Sequence, residues 1–215
     1  MRIVIGEDEV SLRDALERLL TNAGHDVVGT AGDGPDLVRQ ARAEQPELVI
    51  ADVRMPPSQR DEGLRAAHEI RAGAPATAIL VLSHHLQVRY AVELLAVDAR
   101  GVGYLLKQRM ADVERFLAAI DEIGAGGTVI DAEVAAVMVG RLREAALDPG
   151  ELALLALIAQ GRTDASIAAE LTLAEPEVTR RVASVFAALG LPSIAERHER
   201  VTALVCRATL RTVVP

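Results

Sequence analysis

The sequence predicts a five-stranded parallel, doubly wound α/β domain followed by a smaller all-α domain. Up to about residue 122, short and almost wholly apolar runs alternate five times with amphipathic helical stretches. Strands apolar on both faces belong to parallel sheets that helices cover on both sides. Beyond about residue 147 such runs stop and helical periodicity continues alone.

Ile3-Val4-Ile5 is the first strand and ends in Gly6-Glu7-Asp8. Leu12, Ala15, Leu16, Leu19 and Leu20 follow at helical spacing, and Asn22 and Gly24 form a stop signal. Val27–Thr30 is the second strand, and a helix opens at about Pro35, a good first-turn residue, and runs to about Ala43. Leu48–Ala51 leads to Asp52, and a proline-containing loop leads to a helix over about Glu62–Ala72. The segment 57–63 reads as a lid or as a longer surface connection. Ala78–Leu82 ends at Ser83, a helix covers about Gln87–Ala96, and Val102–Leu106 delivers Lys107. A helix over about Met110–Gly124 closes the first domain (1–122).

A linker helix over about Ala132–Glu144 lies in the connecting segment (123–146). The second domain (147–215) begins with a polar stretch, Asp148-Pro149-Gly150, and a helix over about Leu152–Gln160, apolar nearly all round and therefore buried. Asp164–Leu171 is a short helix with Thr163 as its cap. Glu175–Leu189 is a third helix with Val178, Val182, Val185, Phe186 and Leu189 on its inner face. The last helix, about Glu199–Leu210, carries Val201, Leu204, Val205 and Ala208 on one stripe.

Half the residues are apolar and a quarter charged, as in an ordinary globular protein. With two Phe, two Tyr and no Trp, the core must be built from Ala, Val, Leu and Ile. The single cysteine, Cys206, cannot form an internal disulfide, which favours a reducing compartment. There is no signal-like apolar segment at the start and no run of the roughly 18–20 apolar residues that spans a bilayer. The expectation is a cytoplasmic protein without a membrane partner. Of the net charge of −8, residues 147–215 carry −1 (seven Arg against eight acids), which leaves −7 for the rest. Neither part binds polyanions by bulk charge, so nucleic-acid contact requires a local arginine cluster.

In a parallel sheet of this kind the ligand site lies beyond the C-terminal strand ends, near a switch in strand order. Glu7, Asp8, Asp52, Ser83 and Lys107 all stand there. Three carboxylates at one edge repel and call for a cation, and all-oxygen donors suit Mg²⁺. With a hydroxyl and an ammonium added, the set fits a phosphoryl group on one carboxylate oxygen. Lys107 is the only lysine among 23 cationic side chains, the others being arginine. A compact ammonium enters a small site where a guanidinium fork does not. The alternative is that strand-end acids simply favour helix N-termini.

At these positions the first ~122 residues resemble the flavodoxin-like receiver domain of two-component response regulators. The resemblance implies that Asp52 is the phosphoacceptor, served by a histidine kinase or a small phosphodonor. Glu7, Asp8, Asp52 and the backbone carbonyl of Arg54 would hold Mg²⁺, and Lys107 would bind the phosphoryl oxygens. Ser83 is implied as the switch hydroxyl and Tyr104, three residues before the lysine, as the switch aromatic. Arg54 and His85 would flank the acyl phosphate, and His84 and His85 either tune its hydrolysis with pH or are solvated loop residues. A phosphatase is disfavoured because the second acid it requires, two residues after Asp52, is Arg54. The expectation is no enzyme activity beyond slow autodephosphorylation.

The segment from Leu147 on resembles the four-helix LuxR-type helix-turn-helix domain of NarL/FixJ regulators, on Leu155–Gly161, Ile167-Ala168 and Val178 through Gly190-Leu191. The implied partner is promoter DNA, met by Arg180 and Arg181 with Thr179 and Arg162 at the edge, by a protein that is a homodimer when phosphorylated. Ala174 stands where a hydroxyl cap is usual, and Glu177 would repel the phosphate backbone. Those departures leave a rival expectation open: a phosphorylation-gated protein-interaction regulator whose degenerate helix-turn-helix does not hold DNA strongly.

Overall fold

A computed structural model of the chain describes residues 1–142 and 147–210, the last two by backbone alone. The elements are, in order, β1 (Arg2–Gly6), α1 (Val10–Asn22), β2 (Asp26–Ala31), α2 (Gly34–Glu44), β3 (Leu48–Asp52), α3 (Glu62–Gly73), β4 (Ala78–Ser83) and α4 (Val88–Leu95). They continue with β5 (Val102–Leu106), a 3-10 turn (Lys107–Ala111), α5 (Val113–Gly124), β6 (Thr128–Ile130), α6 (Ala132–Gly140), α7 (Pro149–Ala159), α8 (Asp164–Leu171), α9 (Glu175–Ala188) and α10 (Arg197–Leu210). The chain forms two compact units, one of Met1–His85 with Gly101–Gly127 and one of Leu86–Arg100 with Thr128 onward.

The first unit holds β1 to β5 in the order β2-β1-β3-β4-β5, with parallel pairing throughout. The order reverses at β1, which opens a crevice beyond the C-terminal ends of β1 and β3. Every residue of β3, β4 and β5 is buried, as strands covered on both faces require. The expected count of five strands is corrected to six by β6, which belongs to the second unit. A three-residue strand leaves too short an apolar run to stand out from the glycine-rich stretch before it. The helix expected from Met110 begins later, because the chain first makes the 3-10 turn and Asp112 then caps α5 by accepting from the Arg115 N–H (3.3 Å).

Close approach explains one glycine. A Cβ on Gly63 would lie 1.7 Å from the Asp52 carbonyl oxygen, so only glycine lets the first turn of α3 rest on the backbone below the β3 end.

In the second unit, α6 stops at Gly140, short of the expected linker helix, and Glu144 lies outside the described residues. Helix α7 begins at Pro149, earlier than expected, because Asp148 and Glu151 form a reciprocal capping box (2.8 and 2.9 Å). Thr163 caps α8 as expected, accepting from the Ser166 N–H (3.1 Å). Val178, Val182, Val185, Phe186 and Leu189 are all buried, as is the α10 stripe of Val201, Leu204, Val205 and Ala208. Two hydrogen bonds tie α10 to the segment after α4: the Ala99 N–H donates to Thr202 Oγ1 (3.1 Å) and Cys206 Sγ to the Ala96 carbonyl (3.6 Å). Among the described residues, no helix is long and apolar enough to cross a membrane.

Candidate functional site

The crevice residues come from four adjacent strand ends. Glu7 and Asp8 follow β1, Asp52 ends β3, Ser83 ends β4, and Lys107 opens the turn after β5. The register pairs Asp52 with Leu82 and Ser83 with Leu106, which brings these ends to one level. Glu7, Asp52, Ser83 and Lys107 are buried, whereas Asp8 is half-buried at the mouth.

Lys107 Nζ donates to Glu7 Oε2 at 2.7 Å and stands 3.1 Å from Asp52 Oδ2. One ammonium thus serves two buried carboxylates. Burial raises both the Glu7 and the Asp52 carboxyls above their ordinary values, the Lys107 charge and hydrogen bonds acting in the opposite direction. Like-charge repulsion pushes the carboxyls in the same direction as burial: Asp52 acts on Glu7, and Asp8 acts on Asp52. The Arg54 N–H donates to the Asp52 carboxylate and favours its charged form, while the Arg54 side chain points to solvent.

Ligand atoms of Glu7, Asp8 and Asp52 lie within 4.8 Å of one another. Three oxygens with one open, half-buried member suit a hard divalent cation that keeps several waters. One ammonium against three acids leaves negative charge for such a cation to neutralise. The donor set therefore fits Mg²⁺.

The Ser83 hydroxyl donates to the His85 carbonyl (2.8 Å) and accepts from the His85 N–H (3.3 Å), so it is turned into its own loop. Tyr104 is fully buried on β5. The His84 and His85 rings are exposed, with centroids 6.4 Å apart.

Three contributors escape a reading of motifs. Gln59, in the left-handed region (φ 59°), donates its side-chain amide to Asp8 Oδ2 (2.8 Å), so segment 57–63 reaches back over the acidic cluster. Arg13 Nη1 donates to the Glu7 carbonyl (2.6 Å) and pins the turn after β1. Gly63 supports the Asp52 backbone. Of the three, only Gln59 carries a sequence signal, the polar run Ser58-Gln59-Arg60, which is common to surface loops of every kind.

In the second unit α8 and α9 are joined by a tight turn with Thr172 left-handed (φ 54°). Arg162, Thr179, Arg180 and Arg181 are exposed on this side. The Thr179 hydroxyl is directed inward, to the Glu175 carbonyl (3.2 Å) and Asp164 Oδ2 (3.4 Å). Asp164 Oδ1 accepts from Arg200 Nη1 (2.6 Å), and Arg200 Nε donates to the Ile194 carbonyl (2.8 Å). Asp164 therefore links α8, α9 and the buried Arg200 of α10. Ala174 supplies no side-chain cap to α9. Glu177 does not stand apart from the arginines: it accepts from Arg180 and from Arg181 Nε (2.7 Å). That pairing was legible at i,i+3 and i,i+4 spacing.

Residues 3–121 match the family described as response regulator receiver domain. Over 106 residues the chain is 42% identical to the transcriptional regulatory protein PdtaR of Mycobacterium tuberculosis, a match covering 49% of each protein, so the chain spans about half the length of that relative. It is 30% identical over 213 residues to the oxygen regulatory protein NreC of Staphylococcus carnosus, covering 93% of this chain and 95% of the relative. Against DevR/DosR of M. tuberculosis, named a DNA-binding transcriptional activator, identity is 27% over 197 residues, or 87% of both chains. With the receiver match over more than half its length and similarity to NreC from end to end, the chain belongs to the two-component response regulators of the NarL/LuxR type.

Proposed function

We propose that phosphorylation of Asp52 controls the binding of promoter DNA by a helix-turn-helix domain, in a cytoplasmic regulator that works as a homodimer when phosphorylated. Its organisation on this reading is receiver (1–122), linker (123–146) and output domain (147–215). The observation that carries it is the Lys107 ammonium held between Glu7 and Asp52 at the strand ends.

A histidine kinase is the proposed donor. An Asp52 carboxylate oxygen attacks phosphorus as the donor's P–N bond breaks, giving an acyl phosphate on Asp52. Mg²⁺, bound by Glu7, Asp8, Asp52 and the Arg54 carbonyl, would supply charge neutralisation for the phosphoryl oxygens. The chain's own part is positional. Lys107 leaves the Asp52 carboxylate for a phosphoryl oxygen, and Ser83 exchanges the His85 carbonyl for another. The volume that Ser83 vacates is then open to Tyr104, so the change reaches the outer face of the sheet. Couplings of this kind are worth ~1–3 kcal/mol, several-fold to about a hundredfold in occupancy. Hydrolysis of the acyl phosphate would be slow self-dephosphorylation.

At the output end α9 is the reading helix, with Arg180 and Arg181 toward the phosphates and Arg162 and Thr179 at its edge. Two or three phosphate contacts per subunit bind weakly at physiological salt, and dimerisation doubles them. The second reading, a phosphorylation-gated protein-interaction regulator, is favoured by the engagement of both arginines with Glu177.

Incubation with acetyl phosphate and Mg²⁺, followed by intact mass, size measurement and titration with duplex DNA, tests the proposal. One phosphoryl group and a shift to dimer are expected for wild type and neither for Asp52→Asn. Phosphorylation without dimerisation or any gain in DNA binding rejects the DNA reading in favour of the second.

A further inference from the structure

We propose that Glu177 is an internal counter-ion that holds Arg180 and Arg181 and sets how weakly this protein grips DNA. The inference rests on the reading that α9 meets the phosphate backbone.

Both carboxylate oxygens are used. Oε2 accepts from Arg180 Nε (3.0 Å) and from its Nη2, and Oε1 accepts from Arg181 Nε (2.7 Å). The carboxylate is the most sheltered member, with 26% of its side-chain surface exposed against 77% for Arg180 and 51% for Arg181. The two guanidinium groups thus cover the acid from the solvent side, and one acid cancels half of their charge. Two arginine hydrogen bonds hold the Glu177 carboxyl below its ordinary value, so it stays charged throughout the neutral range.

The cluster sits in the first two turns of α9, and Glu177 is in the first turn, where the helix dipole also favours an anion. A phosphate arriving there must take the arginine donors from the carboxylate and approach a like charge at the same time. Exposed pairs of this spacing are individually weak, so the donors can exchange. The outcome is not a blocked surface but a lowered affinity. Dimerisation and phosphorylation then decide occupancy, because the single domain alone does not hold DNA firmly.

The competing cause is general charge, since either acid in the first turn of α9 would repel a phosphate. The charge-matched change Glu175→Gln separates the two, since it removes one acid from the same turn without touching the arginine cluster.

The test uses the full chain and a 30-base-pair duplex of mixed sequence, titrated by fluorescence anisotropy at several KCl concentrations. Glu177→Gln is expected to bind roughly three- to tenfold tighter at low salt, with the salt slope steeper by about one unit. Glu175→Gln is expected to change the slope little, and Arg180→Ala with Arg181→Ala to abolish the gain. Arginine Nε–H resonances read the cluster directly: two signals should shift in Glu177→Gln and stay in place in Glu175→Gln. If Glu177→Gln binds like wild type while the double arginine variant loses binding, the counter-ion is overturned and the DNA reading survives. If Glu175→Gln gives the same gain, general charge is the cause and the inference fails. If neither wild type nor Glu177→Gln binds at the lowest salt, both are overturned.

Discussion

Replacing Lys107 by Met removes the ammonium while filling most of its volume, which isolates the electrostatic role. At 2.7 and 3.1 Å from its two carboxylates, each attraction is on the order of 5–6 kcal/mol at an effective dielectric of about 20. Desolvation of three buried charges offsets much of that, and breaking such a buried network by deleting one partner costs about 3–5 kcal/mol. Set against a total stability of about 5–15 kcal/mol, this is a large fraction. The loss should depend on pH. Glu7 and Asp52 have carboxyls raised by burial, and without Lys107 they rise further. A raised folded-state value means that stability is greatest below the unfolded value and falls as pH rises through the folded one. The penalty of Lys107→Met is therefore largest near pH 7.5 and shrinks toward pH 5, where the carboxyls take up protons. Scanning calorimetry of wild type and variant at both pH values, with chelator present, measures it. A penalty under about 1 kcal/mol, or one equal at both pH values, refutes the buried three-charge arrangement.

Lys107→Arg keeps the charge but forces a larger fork into the same space, and overpacking should cost about 1–3 kcal/mol by the same calorimetry. Gly63→Ala sets a Cβ against the Asp52 carbonyl oxygen at 1.7 Å. It should cost upwards of about 3 kcal/mol in urea unfolding, since backbone must move on both sides. Asp164→Ala strands the buried Arg200 guanidinium, at about 2–4 kcal/mol by thermal denaturation, with Asp164→Asn milder because it still accepts a hydrogen bond. Divalent-cation affinity, read by Mn²⁺ electron paramagnetic resonance, should rise with pH above the ordinary carboxylate range, because protons on Glu7 and Asp52 compete with the metal. A flat profile between pH 5 and 8 contradicts the raised carboxyls.

The first domain was legible because its signals are redundant. β1, β3, β4 and β5 are continuous apolar runs, and each leads to a residue whose chemistry is odd for a strand, so position and chemistry reinforce one another. The inner faces of α9 and α10 were legible through periodicity alone. What escaped was decided by contacts between segments or by short polar geometry. β6 is too short to carry a pattern. The end of α6 at Gly140 depends on a local stop within a run that remains helix-compatible. Asp148 sits in a short polar segment, although Asp-x-x-Glu is a capping signature that spacing can disclose. Gln59 over Asp8 and Asp164 against Arg200 join residues 51 and 36 positions apart, and no periodicity within either segment points to the other. Repulsion of a phosphate backbone is what Glu177 suggests when read alone, whereas in the structure it is the partner of Arg180 and Arg181.

Burial of the one lysine has a consequence for the outside of the molecule. The only side-chain amine is enclosed at a strand end, so every cationic side chain on the surface is a guanidinium. Amine-directed acylation, reductive methylation or crosslinking finds no side-chain target on the folded protein. Lysine-specific proteolysis finds a single bond, beside a side chain that is not presented. Label at residue 107 therefore reports opening of the crevice. A reagent that marks dozens of side chains on most proteins becomes, among the side chains here, a one-residue probe of whether the crevice beside Asp52 is shut.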